Sequence, residues 1–200
     1  MKKIFSGFLL TLLLIFPPLA YSAAPLDTVK EHVDKVLGVL RDPSLKGEPG
    51  RKIKREKIRS ISEEMFDFTE LSKRSLGQNW KKFNPGQQEE FIKLFKSILE
   101  TAYVDKITSY TEEKIIFKEV INLSEKTVEV QTTIVTKSSG IPINYRLTEE
   151  KGRWKVYDVV VEGVSLVNNY RTQFREILAK KTPEALLDIL RKKVAEAHVS

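Results

Sequence analysis

The chain has 200 residues, no cysteine, two histidines and a net charge of +7. That length suits one domain, or one with a small annex, and the missing cysteines exclude disulfides, while His32 and His198 are too few and too far apart for the usual zinc constellations. Acidic and basic residues are interspersed nearly everywhere, and the one basic stretch, residues 51–57, has no interleaved aromatics, so nucleic acid is not an expected partner.

Lys2 and Lys3 precede an apolar run from Ile4 to Phe16, and Pro17, Pro18, Ala20 and Ser22 follow. This is the basic, apolar and small-residue order of a secretory signal peptide, with cleavage expected near Ser22. The apolar run is shorter than the roughly 20 residues that a membrane-spanning helix needs. No cysteine follows it to carry a lipid anchor. Residues 1–22 are therefore read as the signal peptide and residues 23–200 as one exported domain. Removing Lys2 and Lys3 from +7 leaves +5, a surplus that either helps at anionic membrane surfaces or is simply solvated.

Residues 26–41 place Val29, Val33, Val36, Leu37 and Leu40 on one helical stripe. Residues 42–50, with Pro43, Gly47, Pro49 and Gly50, read as a turn-rich connection. A basic amphipathic helix follows, with Ile53, Ile58, Ile61 and Met65 on its apolar side. Asp67 is placed to cap a short helix carrying Leu71 and Leu76, and Gly77 to end it. Asn84-Pro85, with Gln87 at the capping-box position, opens a long helix carrying Phe91, Leu94, Phe95, Ile98, Leu99, Ala102 and Ile107.

The period then changes. Residues 114–123, 126–137, 141–149 and 153–162 read as four strands with short links, which favours antiparallel neighbours. Val128, Val130 and Ile134 alternate with Glu129 and Gln131, and Ile141, Ile143, Tyr145 and Leu147 form the next apolar face. The last strand is apolar on both sides, with Trp154, Val156 and Val160 against Tyr157, Val159 and Val161. Ser165 caps a helix to about Lys180, and Thr182-Pro183 opens a final helix with Leu186, Leu187, Leu190 and Val194. The class is α+β: a curved four- to five-stranded antiparallel meander packed against several helices, a geometry that encloses an apolar cavity easily.

Candidate chemistry is sparse. Ser165 follows Glu162-Gly163-Val164 but lacks the trailing glycine of a nucleophile elbow, and it sits where a helix begins, so capping explains it. His32 lies among Glu31 and Asp34 and is expected at the surface. Asp158 and Glu162, four apart on a strand, could form a carboxylate pair on one face, but strand-edge solvation or a partner Lys explains them better. No glycine-rich phosphate loop is present. No catalytic set, metal or cofactor is expected. The aromatics Phe91, Phe95, Tyr103, Tyr145, Trp154, Tyr157, Tyr170 and Phe174 fit either an ordinary core or a ligand cavity.

An ordered set of short motifs resembles the toluene-tolerance/MlaC family. It comprises Met65-Phe66-Asp67-Phe68, Ser72-Lys73-Arg74, Gly77, Trp80, Gln87 to Phe91 and Leu94-Phe95, and continues in the second half of the chain. There it comprises Ile141-Pro142, Tyr145-Arg146-Leu147, Trp154 to Val159, Glu162 to Val167, Asn169-Tyr170-Arg171 and Gln173-Phe174. The match spans about residues 26–190. Asn144 stands where many members carry an acidic residue, and Thr182-Pro183 replaces a more usual glycine-bearing turn.

The resemblance implies an NTF2-like fold and a periplasmic phospholipid carrier, not an enzyme. It implies exchange with an inner-membrane ABC transporter bearing an MCE-domain subunit and with an outer-membrane lipoprotein complex. The chain is expected to be a monomer. Periodicity nominates Phe91, Phe95, Ile98 and Leu99 on the long helix, Val130, Ile134, Ile143 and Tyr145 on the strands, and Trp154 as the lipid-lining residues. Two alternatives stay open: a carrier of another lipid such as a hopanoid, or an exported isomerase or dehydratase with Asp158 as its base.

Overall fold

The computed structural model describes residues 24–108, 114–136 and 139–197. The expected signal peptide and His198 lie outside them. In chain order the elements are α1 (Pro25–Arg41), α2 (Gly47–Met65), α3 (Phe68–Leu76), a 3-10 turn (Gly77–Lys82), α4 (Pro85–Thr108), β1 (Lys114–Ser124), β2 (Thr127–Val135), β3 (Gly140–Glu150), β4 (Arg153–Val161), β5 (Val164–Ser165), α5 (Leu166–Leu178) and α6 (Pro183–Ala197).

The helix starts are set by side chains that satisfy otherwise unpaired N–H groups. Asp67 accepts from the Glu70 N–H at 2.8 Å. Asn84 and Gln87 cap each other, with the Gln87 N–H donating to Asn84 Oδ1 at 2.9 Å and the Asn84 N–H donating to Gln87 Oε1 at 3.1 Å. Ser165 Oγ accepts from the Asn168 N–H at 3.0 Å, and Thr182 Oγ1 accepts from the Ala185 N–H at 3.3 Å. Gly77, at φ +56°, ends α3 in a conformation that a side chain would strain.

One boundary differs from expectation. Residues 47–50, read as connection, form the first turn of α2. Pro49 is tolerated there because a first-turn N–H needs no helical partner. Gly50 is required by packing: a Cβ at this position would lie 2.3 Å from the Leu45 carbonyl carbon. Sequence punctuation at this point marks a tight helix entrance, not a loop.

The five strands form one antiparallel sheet in the order β1-β2-β3-β4-β5. Its hairpins β3–β4 and β4–β5 turn on Lys151-Gly152 and Glu162-Gly163, all at positive φ, as two-residue turns matched to strand twist require. Glu162, expected in a strand, is therefore a turn residue. Register shifts interrupt β1 twice and the β3–β4 pair between Arg146 and Leu147, and such bulges bend the sheet. On one face Val128 pairs with Leu147, Val130 with Tyr145, and Ile134 with Ile141. α1 lies on this face, where Val29 and Val33 pack with Val128, Val130, Leu147 and Val156. α3 and α5 pack on β4.

The remaining helices make a second core. Phe83, Phe91, Phe95, Leu99, Phe174, Leu186 and Leu187 are all buried in one cluster spanning α3 to α6. α4 packs on α2, α3 and α6. Arg191 of α6 locks α6 to α4 with a two-pronged bond to Glu90, at 2.7 and 2.8 Å, and further bonds to Glu184 and Asp188.

Candidate functional site

The nine residues nominated as lining do not form one wall. Phe91, Phe95 and Leu99 are buried in the helical cluster, and Ile98 packs against it. Val130 is buried in the sheet cluster, with Tyr145 and Trp154 packed against that cluster. Ile134 and Ile143 are half-buried on the same sheet face. Phe66 packs against both clusters and marks where they meet.

The two sides of that junction are packed differently. In the helical cluster the Phe91 and Phe95 rings both meet the Phe174 ring edge-on, at 5.3 Å between centroids. Tyr170 approaches Phe95 at 4.7 Å. On the sheet, α1 covers the part around Val128 and Leu147, while Ile134, Ile141, Ile143 and Tyr145 keep partial exposure. Tyr145 is surrounded deeply enough that burial pushes its hydroxyl up to about 12. The residue as a whole is half-buried.

Two clefts lie elsewhere and contain none of the nine residues. One, of about 330 Å³, lies at the α2–α3 junction and the β3–β4 turn, between Phe66, Phe68, Lys151 and Arg153. The other, of about 610 Å³, lies between the 3-10 turn and α5, with Leu76 and Leu178 beside Lys82, Arg171 and Arg175.

Sequence reasoning missed a polar network on the opposite side of the sheet. Arg146 Nε donates to Glu129 Oε2 at 2.9 Å and its Nη1 to Asp158 Oδ2 at 3.3 Å. Burial opposes the guanidinium charge, yet the two carboxylates outweigh it and hold Arg146 above its ordinary value. Asp158, only 2% exposed, also accepts from Ser165 Oγ at 2.6 Å and from the Val167 N–H at 3.0 Å. Asn144 Nδ2 donates to Glu129 Oε1 at 3.1 Å, which gives that position a polar role. The network ties the start of α5 to the sheet. It could have been suspected from Glu129, Arg146 and Asp158 falling at polar positions of three adjacent strands, but their register was needed to join them.

These contacts decide three readings of the chemistry and correct one of them, that of His32. Asp158 does not pair with Glu162, which is exposed in a turn. Ser165 is a cap whose hydroxyl hydrogen is given to Asp158. His32 is buried, not on the surface: its ring folds back along α1 and Nδ1 donates to the Thr28 carbonyl at 2.7 Å. Among the described residues no cluster of acidic, histidine or cysteine side chains could hold a metal ion. No helix among them is long and apolar enough to cross a membrane.

Comparison with known proteins gives a consistent result. The sequence model of the family described as MlaC protein matches residues 30–192. An intermembrane phospholipid transport system binding protein, MlaC, of Haemophilus influenzae is 24% identical over 194 residues, covering 94% of this chain and 91% of that protein. The toluene tolerance protein ttg2D of Pseudomonas putida is 25% identical over 175 residues, covering 86% and 81%. A solved phospholipid-binding protein of Ralstonia solanacearum, in complex with a phospholipid, superposes with a TM-score of 0.77 at 24% identity, covering 88% of this chain and 99% of that one.

Proposed function

The chain belongs to the MlaC family, and from that membership we propose that it is a periplasmic phospholipid carrier. Its acyl-chain site is the seam between α4 and the half-covered sheet face, lined by Ile98 on one side and Ile134, Ile143 and Tyr145 on the other. Phe91, Phe95, Leu99, Val130 and Trp154 back that lining. The observation that carries the reading is Tyr145. It shares an apolar sheet face with Ile134, Ile141 and Ile143, and all four stay partly exposed where α1 leaves that face uncovered.

The physics of the task fits a protein without a reaction centre. A phospholipid has roughly 30 chain carbons, and at about 0.8 kcal/mol each their exposure costs about 24 kcal/mol. Taken as a barrier, that cost allows about 10⁻⁵ spontaneous desorptions per second. A carrier overcomes it by offering a dry apolar surface of similar extent, so that loading from a bilayer is nearly thermoneutral. The one acid nominated for catalysis, Asp158, is buried and already accepts three hydrogen bonds.

Residues 1–22 serve as the export signal, cut near Ser22, and residues 23–200 act as one monomeric domain. The carrier receives and delivers lipid at an outer-membrane lipoprotein complex and at the MCE-domain subunit of an inner-membrane ABC transporter. Native mass spectrometry of the exported protein is expected to find co-purified phospholipid. Protein that is empty and takes up none from vesicles would refute the reading, and a polycyclic lipid in its place would change the ligand class. Ile134→Glu is expected to empty the protein while leaving it folded by circular dichroism.

A further inference from the structure

One segment takes no part in that reading. Residues 46–57 hold six basic and two acidic side chains, a net +4. Apart from Lys2 and Lys3, the rest of the chain sums to only +1. The charge surplus of the exported protein is therefore concentrated in the residue before α2 and the first half of that helix. Lys54 is used internally, its Nζ donating to the Leu40 carbonyl at 2.8 Å. Arg51 reaches back to Glu48 at 2.9 Å, and both remain exposed. Lys46, Lys52 and Lys57 are exposed too. Among them Ile53 is 41% exposed. Ile58, farther along α2, is instead buried with Leu40 and Val104. The inner side of the helix is already packed, so Ile53 is an apolar group left outside on a basic surface.

We propose that this basic end of α2 docks the protein on an anionic phospholipid bilayer. Lys46, Lys52 and Lys57 meet lipid phosphates, and Ile53 inserts between the headgroups. The inference deepens the carrier reading and takes its purpose from it: a carrier that lingers at a membrane surface meets its lipid partners there more often. Each basic residue near an anionic surface strengthens binding roughly fivefold at low salt. Lysine suits this role, because its stem lies along an apolar surface while its ammonium stays in water. An acidic protein is the poorer match. Protein interfaces deplete lysine and centre on buried aromatic or arginine anchors, whereas this surface offers lysines around one isoleucine.

Vesicle co-sedimentation of the exported protein tests the proposal. The probes are vesicles of three parts phosphatidylcholine to one part phosphatidylglycerol, against phosphatidylcholine alone, at low and high salt. The protein is expected to partition onto the anionic vesicles only, and less at high salt. Lys52→Glu with Lys57→Glu lowers that partition by about tenfold or more, and Ile53→Ser lowers it by about threefold or more. The control pair Lys192→Glu with Lys193→Glu, exposed on α6, makes the same change in net charge and leaves partition within about twofold, since its charges do not face the bilayer. No partition onto anionic vesicles overturns the proposal, whether the surface is merely solvated or meets an acidic protein. An equal loss in the control pair overturns it as well, by assigning the attraction to bulk charge. Lipid content by native mass spectrometry reads the seam separately: variants that lose docking but keep their lipid leave the carrier reading standing, and an empty parent protein removes that reading whatever the vesicles show.

Discussion

The helical core and the sheet face use the same apolar residue types to opposite ends. Around Phe91, Phe95 and Phe174 the rings interlock edge to face and exposure falls to 0–3%. Across the sheet, Val128 and Leu147 are buried under α1, while Ile134, Ile141, Ile143 and Tyr145 are only half covered. A side chain already enclosed by protein has no surface left to offer a ligand, and one left half covered has contributed little to stability. The difference teaches that this fold packs its helices fully and leaves part of the sheet face uncovered, which is where the proposed lipid site lies.

The largest expected effect breaks the helical side. Phe95→Ala removes a ring in contact with Phe91, Tyr170 and Phe174 and is expected to cost about 3–5 kcal/mol in urea unfolding. Next, Asp158→Ala leaves Arg146, Ser165 Oγ and the Val167 N–H without their acceptor. It is expected to cost about 3 kcal/mol, seen as a lowered melting temperature, because the Ser165 hydroxyl and the Val167 N–H are left as unpaired donors at a buried site, while Arg146 keeps Glu129 as its counter-charge. Ile143→Glu sharpens the comparison from the other side. Its stability cost is expected to be about 1–2 kcal/mol, because the new carboxylate sits on a half-covered face, while bound lipid disappears from the native mass spectrum. If it destabilises as much as Phe95→Ala and leaves lipid bound, the division of labour is wrong.

Smaller effects belong to the helix ends. Asp67→Ala loses the bond to the Glu70 N–H and is expected to cost about 1 kcal/mol of unfolding free energy. The smallest effect is one of pH. Hydrogen bonds from Arg191 hold Glu90 and Glu184 below the ordinary glutamate value of 4.5. Their folded forms therefore contribute stability above that value and lose it as pH falls through the depressed values. Arg191→Met removes the cause, so the variant's melting temperature should fall less steeply than the parent's below about pH 4.5.

Much of this was legible in the chain. Asp67, Asn84 with Gln87, Ser165 and Thr182 each announced a helix start, and each makes its bond with a residue three positions away. The four long strands and their antiparallel order followed from period and link length. The sequence could not tell that α1, read only as an apolar stripe, would cover the part of the sheet face around Val128 and Leu147. Nor could it place His32, whose burial depends on which side of α1 meets the sheet.

Local order thus came from the amino-acid sequence itself. Caps, turns and alternation act between residues a few positions apart, and they determine the α+β class and the succession of elements. The tertiary structure alone decided that seven of the nine nominated residues divide between two clusters meeting at Phe66, while Ile134 and Ile143 stay half-buried on the sheet face that carries Val130. It alone joined Glu129, Arg146 and Asp158 into one network. These outcomes depend on strand register and helix docking, which bring together side chains 12 to 17 residues apart and more, and no local pattern encodes which of several apolar faces will meet.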